Sequence, residues 1–177
     1  MVILRATKKV LRYLPPPVES LGESGTALGD WYVNRVGVGR QPMLLLVSAN
    51  SLLPLLTPAR DVRGLPDRLV ELVAARLLRL GVDERLIKAE KSAMGEVVVG
   101  RTASRSVLGI MNDFARLIPF YLDPRYGDVV SLKSVEARLA DTPCRVTSRV
   151  GKALWPDREA RELLERKWTR AERPEGD

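Results

Sequence analysis

The sequence predicts an α+β fold, in which a mainly antiparallel sheet of about four to five strands packs against helices in a single compact domain. Short segments rich in β-branched and aromatic residues occupy much of the first third of the chain and are separated by turn-forming residues. Longer segments with apolar residues at spacings of three and four follow. Because strands and helices do not alternate regularly, an antiparallel sheet is favoured over a repeated βαβ arrangement.

The length and composition predict one ordinary domain with its own hydrophobic core. The 177 residues are 45% hydrophobic and 29% charged, which is a globular composition. We predict an α+β domain at residues 1–150 and a C-terminal helical extension with a frayed tail at residues 151–177. The first apolar run is interrupted by Arg5, so the pattern of a signal peptide is missing. These observations favour a soluble, cytoplasmic bacterial protein without membrane association.

The residue types exclude several common chemistries. Histidine is absent and Cys144 is the only cysteine, which excludes a His/Cys zinc site, a Ser-His-Asp triad, a Cys-His dyad and an internal disulfide. The phosphate-loop pattern GxxxxGK[ST] and the dinucleotide pattern GxGxxG are also absent. We predict no cofactor, no metal and no assigned catalytic residue, although carboxylate-bound Mg²⁺ is formally compatible with the composition. Cys144 is expected to be a buried, inert thiol.

Five segments have the composition of strands. They are residues 2–7, 30–38, 43–48, 52–57 and 96–99. The second and third are expected to form a hairpin, and the nearly continuous apolar run from Met43 predicts burial on both faces of the third. Pro54 restricts the fourth to an edge or a bulge. Trp31 and Tyr32 have strand spacing and are expected to lie in the core rather than to stack on bases.

Helical patterns occupy the intervals between and after these strands. They are residues 7–14, 66–80, 83–94, 107–122, 135–140 and 157–168. Three consecutive prolines from Pro15 end the first helix, and Gly81 ends the second. Residues 172–177 are expected to be frayed.

The candidate binding site is the basic loop that leads from the strand at 96–99 into the long helix. Its proposed anion-binding residues are Arg101, Thr102, Ser104, Arg105, Ser106 and Asn112. The positive end of the helix dipole repels a cation at the N-terminus, at a cost of about 0.3–1 kcal/mol. A bound anion would be attracted both by the dipole and by the arginines. The alternative interpretation is that Ser104 or Ser106 caps the helix while the arginines extend into water or pair with carboxylates elsewhere.

The long helix carries a polar stripe that continues from this loop. Arg105, Gly109, Asn112 and Arg116 follow one another at steps of four, three and four residues. A glycine inside a helix costs about 1 kcal/mol relative to alanine, so we interpret Gly109 as a position that another group approaches closely.

Three functions are compatible with these features. The first is a non-enzymatic binding or regulatory module that holds a nucleic acid or a phosphorylated ligand, which the net charge of +7 would attract. The second is an enzyme acting on a phosphorylated or carboxylated substrate through Glu96, Arg105, Asn112 and Asp113. The third is an interaction protein, for which a homodimer formed through the helix at 157–168 is the expected partner arrangement.

Several segments also resemble an uncharacterised family of bacterial proteins. The similar segments are residues 2–7, 28–34, 51–54, 105–115 and 139–144, and the most specific is the RSVLGxMNDFA segment that begins at Arg105. The resemblance spans roughly residues 1–145. It implies a gene of accessory or mobile elements, and it implies no activity and no catalytic residue.

Overall fold

The computed structural model describes residues 1–20, 22–38, 41–123, 125, 131–145 and 153–169. The strands are β1 (Val2–Ala6), β2 (Trp31–Val38), β3 (Gln41–Ser48), β4 (Pro54–Pro58), β5 (Val97–Arg101), β6 (Cys144–Arg145) and β7 (Ala153–Leu154). The helices are α1 (Lys8–Leu11), α2 (Leu65–Arg79), α3 (Glu84–Met94), α4 (Arg105–Tyr121), α5 (Leu132–Ala140) and α6 (Pro156–Trp168), and a short 3₁₀ helix covers Ala59–Asp61. The predicted α+β class is confirmed.

The main sheet has five strands in the order β4-β3-β2-β1-β5. The predicted hairpin is confirmed, because β2 and β3 pair antiparallel with Tyr32 opposite Val47, and β4 pairs antiparallel with β3. In contrast, β1 pairs parallel with both β2 and β5, so that Leu4 lies between Trp31 and Val99. The sheet is therefore mixed, and β5, β1 and β2 all run in the same direction.

Each face of the sheet carries its own hydrophobic core. The first core packs α2, α3 and α6 against the face that bears Leu4 and Trp31, and the second packs α4 and α5 against the face that bears Tyr32. Strand β3 contributes Leu44 to the first core and Leu45 to the second. The apolar run of β3 is thus buried on both sides, as its composition predicts.

Several element boundaries differ from the predictions: β5 extends to Arg101 rather than ending at residue 99, and α5 begins at Leu132 rather than at residue 135. Two other differences have local reasons. Helix α1 is a single turn that ends at Leu11 rather than at residue 14, and the Thr7 hydroxyl at its start donates to Asn34 Oδ1 at 2.9 Å instead of capping it. Strand β4 begins at Pro54 because Leu52, with a φ of 60°, forms part of the turn that precedes it. Strand β4 is an edge strand, as Pro54 predicts.

A buried carboxylate connects the loop before β2 to two helices. Glu90 of α3 is 1% exposed and accepts hydrogen bonds from the backbone amides of Ala27 (2.8 Å) and Leu28 (3.0 Å). It also accepts one from Trp168 Nε1 of α6 at 2.9 Å. Helix α6 is therefore fastened to the same core as the rest of the chain. The division into residues 1–150 and 151–177 stays a prediction, and the frayed tail lies outside the described residues.

A second buried carboxylate fastens α5 to the sheet and to α2. Glu136 accepts from the backbone amide of Leu56 at 2.8 Å and forms ion pairs with Arg79 at 2.7 Å and with the buried Arg76 at 3.6 Å. Arg76 also donates to the carbonyl of Pro54 at 3.0 Å. Burial lowers the pKa of the Arg76 guanidinium, and the Glu136 charge opposes that shift.

Candidate anion site at the start of α4

The predicted basic loop of residues 101–106 consists of the last residue of β5, a loop at residues 102–104 and the first two residues of α4, and hydrogen bonds to two side chains of the sheet hold it in place. The Ser104 backbone amide donates to the Tyr32 hydroxyl at 3.1 Å, and Arg5 Nη1 donates to the carbonyl of Arg101 at 3.0 Å. Ser104 also caps α4, because its Oγ accepts from the Val107 amide at 3.3 Å. The loop therefore has a defined position at the ends of β1 and β5.

The two side chains that hold the loop are themselves fixed. The Arg5 guanidinium pairs with the Asp30 carboxylate, which also accepts a hydrogen bond from the Ser24 hydroxyl. The Tyr32 side chain is buried in the second core. Burial raises the pKa of Tyr32, although the nearby Arg5 charge acts in the opposite direction. The Tyr32 hydroxyl consequently stays neutral well above neutral pH and remains available to the loop.

The two arginines of the loop are exposed and carry uncompensated charge. Neither Arg101 nor Arg105 forms an ion pair or a side-chain hydrogen bond within the part of the chain that the structure describes. The first turn of α4 contains no acidic residue. Both guanidinium groups thus lie on a segment that enters the positive end of a 17-residue helix, and no carboxylate of the described residues pairs with either of them.

The predicted site residues are only partly brought together. Arg101, Thr102, Ser104, Arg105 and Ser106 lie on one anchored segment, where the threonine and the two serines are half-buried. Asn112 lies seven residues beyond Arg105 on α4, which corresponds to about 10 Å along the helix axis. A single phosphate on the loop is therefore too small to reach Asn112, whereas an extended ligand is not.

The polar stripe of α4 faces solvent, and the interpretation of Gly109 is wrong. Arg105, Gly109, Asn112 and Arg116 are all exposed, and Arg116 pairs with Asp113 at 3.4 Å. A Cβ atom added at Gly109 would meet no atom within 4 Å. The helix turns its opposite, apolar face to the sheet, and none of the described residues approaches this glycine.

The residues considered for catalysis do not share a cleft. Glu96 lies just before β5, and Arg101 is the last residue of that strand. Five strand residues place the Cα atoms of Glu96 and Arg101 about 16 Å apart. Asp113 lies eight residues along α4 from Arg105, about 12 Å away along the axis. Within the described residues, no group of three or more His, Cys, Asp or Glu side chains could hold a metal ion.

Cys144 lies in β6 and is buried in the second core. Burial raises the pKa of the Cys144 thiol to about 11, and the Asp113 charge contributes in the same direction. Since the thiolate is the reactive form, this cysteine is a poor nucleophile at neutral pH. The expectation of a buried and inert thiol agrees with this geometry.

A second basic feature was not predicted from the sequence. Lys9, Arg35, Arg60 and Arg63 line one cleft beside α1, β2 and the 3₁₀ helix. These residues come from three segments that are distant in the sequence, and only the fold brings them together. The pair Arg60 and Arg63 beside the 3₁₀ helix was the only local signal, and it is a weak one.

Comparison with known proteins gives the chain a family. Residues 3–159 match the protein family described as Domain of unknown function (DUF6933). The chain belongs to this family. The predicted membership in an uncharacterised domain family is confirmed, whereas the bacterial origin and the signature segment at Arg105 stay predictions. Both the basic loop and the second basic cleft of this DUF6933 chain lie inside the matched range.

Two further findings concern this DUF6933 chain. None of the curated proteins compared with it matches. Among the described residues, no helix combines the length and the apolar composition that crossing a bilayer requires.

Proposed function

We propose that this DUF6933 domain is a non-enzymatic binding module that holds an anionic group, the phosphate of a nucleic acid or of a phosphorylated ligand, at the loop of residues 101–106. The observation that carries the proposal is that Arg101 at the end of β5 and Arg105 at the start of α4 are both exposed and have no carboxylate partner among the residues that the structure describes. A bound anion would supply the missing negative charge.

The backbone at the start of α4 supports the same proposal. The first amides of a helix have no acceptor within the helix, and the Ser104 side chain satisfies only that of Val107. The amides of Arg105 and Ser106 thus have no acceptor within the helix, and they lie on the same segment as Arg101 and Arg105. Charge-assisted hydrogen bonds from such donors to phosphate are among the stronger polar interactions in proteins.

The loop also has the rigidity that a binding site needs. Its position is set by the hydrogen bonds to Tyr32 and from Arg5, and Arg5 is held in turn by Asp30. A site that is already formed before binding loses little conformational entropy when the ligand arrives. For a nucleic acid or another extended polyanion, the exposed stripe through Asn112 would continue the contact along α4.

A direct test measures binding of inorganic phosphate and of short single-stranded DNA and RNA at two salt concentrations. The test variant is Arg101→Gln/Arg105→Gln, and the matched control is Lys88→Gln/Arg166→Gln, which removes two exposed charges from α3 and α6. We expect the wild-type affinity to fall with salt and the test variant to lose roughly tenfold or more in affinity. Absence of binding at both salt concentrations, or an equal loss in the control, would contradict the proposal.

The other two functions lack a supporting observation. The four residues considered for catalysis are separated by the length of β5 and by two turns of α4, as described above. The apolar face of α6 is already used within the chain, since Ala160 and Leu164 are fully buried in the first core. A homodimer through that face would require α6 to leave its own domain.

A further inference from the structure

A cleft of about 430 Å³ opens between α1, the end of β2, the start of β3 and the 3₁₀ helix. It lies on the face of the sheet that carries the first core, since its deepest residues, Val10 and Leu44, belong to that core. The loop of residues 101–106 is instead anchored by Tyr32, which belongs to the second core. The cleft is thus a separate feature from the anion site proposed above.

The walls of the cleft carry a strong excess of positive charge. They include the exposed side chains of Lys9, Arg35, Arg60 and Arg63, and none of these forms an ion pair with any residue that the structure describes. Among the described residues, the lining contains one acidic side chain, Asp61, and it already has a partner. Arg68 approaches the Asp61 carboxylate at 3.2 Å and donates to its backbone carbonyl at 2.7 Å.

The lining of the cleft also includes apolar residues and one tyrosine. Val10 and Leu44 are each 1% exposed, and Ala59 and Val62 beside them are half-buried. Tyr13 is half-buried and belongs to the same lining. An apolar lining with one aromatic ring, together with several cations, suits a ligand that has a flat ring system at one end and several negative charges at the other.

We propose that this cleft binds a mononucleotide, with the base against Tyr13 and the apolar residues and the phosphates among the arginines. The cleft volume falls in the range of small-molecule sites and is too small for a folded partner. Arginine is suited to phosphate because its planar group donates two parallel hydrogen bonds. Stacking of a base on an aromatic ring tolerates different bases, so the phosphates rather than the base identity dominate recognition.

The test compares equilibrium binding of AMP, ADP, ATP and tripolyphosphate by isothermal titration calorimetry. The first variant is Arg35→Gln/Arg63→Gln, which removes two charges from the cleft walls while leaving exposed polar side chains. The second is Tyr13→Leu, which removes the ring and keeps apolar volume. The controls are Arg101→Gln/Arg105→Gln at the α4 loop and Lys88→Gln/Arg166→Gln on α3 and α6.

We expect affinity to rise from AMP to ATP and the Arg35/Arg63 variant to bind ATP roughly tenfold or more weakly. Tyr13→Leu should weaken ATP roughly fivefold or more while leaving tripolyphosphate unchanged, which separates base recognition from phosphate recognition. Arg101→Gln/Arg105→Gln should still bind ATP more tightly than tripolyphosphate. The cleft and the segment of residues 101–106 are thereby tested independently.

Three results would overturn the inference. The first is the absence of ATP binding to the wild-type protein. The second is a loss of ATP affinity in the Lys88/Arg166 control that equals the loss in the Arg35/Arg63 variant. The third is binding of single-stranded oligonucleotides at the cleft without binding of any mononucleotide, which would assign the cleft to nucleic acid instead.

Discussion

The hydroxyl of Tyr32 accepts a hydrogen bond from the backbone amide of Ser104 at 3.1 Å, across 72 residues of sequence. Tyr32 is 3% exposed and lies in β2, at the centre of the sheet, whereas Ser104 caps α4. The contact therefore joins the buried frame of the protein directly to the exposed basic loop. Together with the hydrogen bond from Arg5 to the Arg101 carbonyl, it positions the backbone of the segment.

Replacement of Tyr32 by Phe should separate the loop from its support. The Ser104 amide would lose its acceptor, and we expect the free energy of unfolding to fall by about 1 kcal/mol. Phosphate affinity at this segment should also fall, because the backbone that leads from β5 into α4 would lose one of its two hydrogen bonds to the sheet. Urea denaturation measures the first effect and a phosphate titration the second. Tyr13→Phe is the control and should stay within about 0.5 kcal/mol of wild type.

Replacement of Glu90 by Gln should destabilise the fold much more. A neutral amide would present its NH₂ group to one of three donors, the amides of Ala27 and Leu28 and the indole N–H of Trp168. Because hydrogen bonds to a buried charged group are the stronger kind, we expect a loss of about 3 kcal/mol. Chemical denaturation measures it. The control is Glu162→Gln at an exposed position of α6, which should change the free energy of unfolding by less than about 0.5 kcal/mol. A similar loss in both variants would refute the role of Glu90 as a buried acceptor.

Two glycine-to-alanine variants should change the free energy of unfolding in opposite directions. At Gly109 an added methyl group meets no atom within 4 Å, so Gly109→Ala should stabilise the protein by about 0.8–1 kcal/mol. At Gly29, φ is +73° and an added Cβ would come within 2.8 Å of Asn50 Cγ, so Gly29→Ala should destabilise it. Thermal or urea unfolding of both variants measures the difference. Destabilisation by Gly109→Ala would show that something does approach α4 there.

The Cys144 thiol should make stability depend on pH in the alkaline range. Burial raises its pKa from 9.0 to about 11, so the folded state disfavours the thiolate that the unfolded chain forms more readily. The resulting stabilisation is fully present below pH 9 and should be lost as pH rises through about 11. Tyr32 acts in the same direction because its pKa is also raised. Urea denaturation of wild type and Cys144→Ala at several pH values therefore isolates the contribution of the thiol. If the free energy of unfolding fell equally steeply with pH in both proteins, the raised pKa of Cys144 would be contradicted.

Much of the fold follows from local patterns in the sequence. The hairpin, the edge strand at Pro54 and the helices α2, α3 and α6 were predicted because their apolar periods and their Pro and Gly residues act locally. The parallel pairing of β1 with β2 and β5 was not predicted. A strand of five buried residues accepts a neighbour in either direction, and its partners begin 29 and 95 positions away in sequence (31 − 2 and 97 − 2).

The buried charges show a signal that the sequence did carry. Each of the three lies on the apolar face of its helix, three residues from a buried apolar side chain: Arg76 from Val73, Glu90 from Ile87 and Glu136 from Leu139. A charged residue on the apolar face of an amphipathic helix must find partners inside the protein. The cleft lined by Lys9, Arg35, Arg60 and Arg63 could not be recognised in this way. Its residues become neighbours only after β2 pairs with β3 and α1 folds back on the sheet.

The most direct test of the proposed anion site is a two-dimensional ¹H–¹⁵N NMR titration of the protein with inorganic phosphate at low salt. The account predicts saturable shifts of the amides of residues 102–107, lost in Arg101→Gln/Arg105→Gln and retained in Lys88→Gln/Arg166→Gln. Shifts spread over the basic surface without a maximum at the start of α4, or equal shifts in all three proteins, would contradict it.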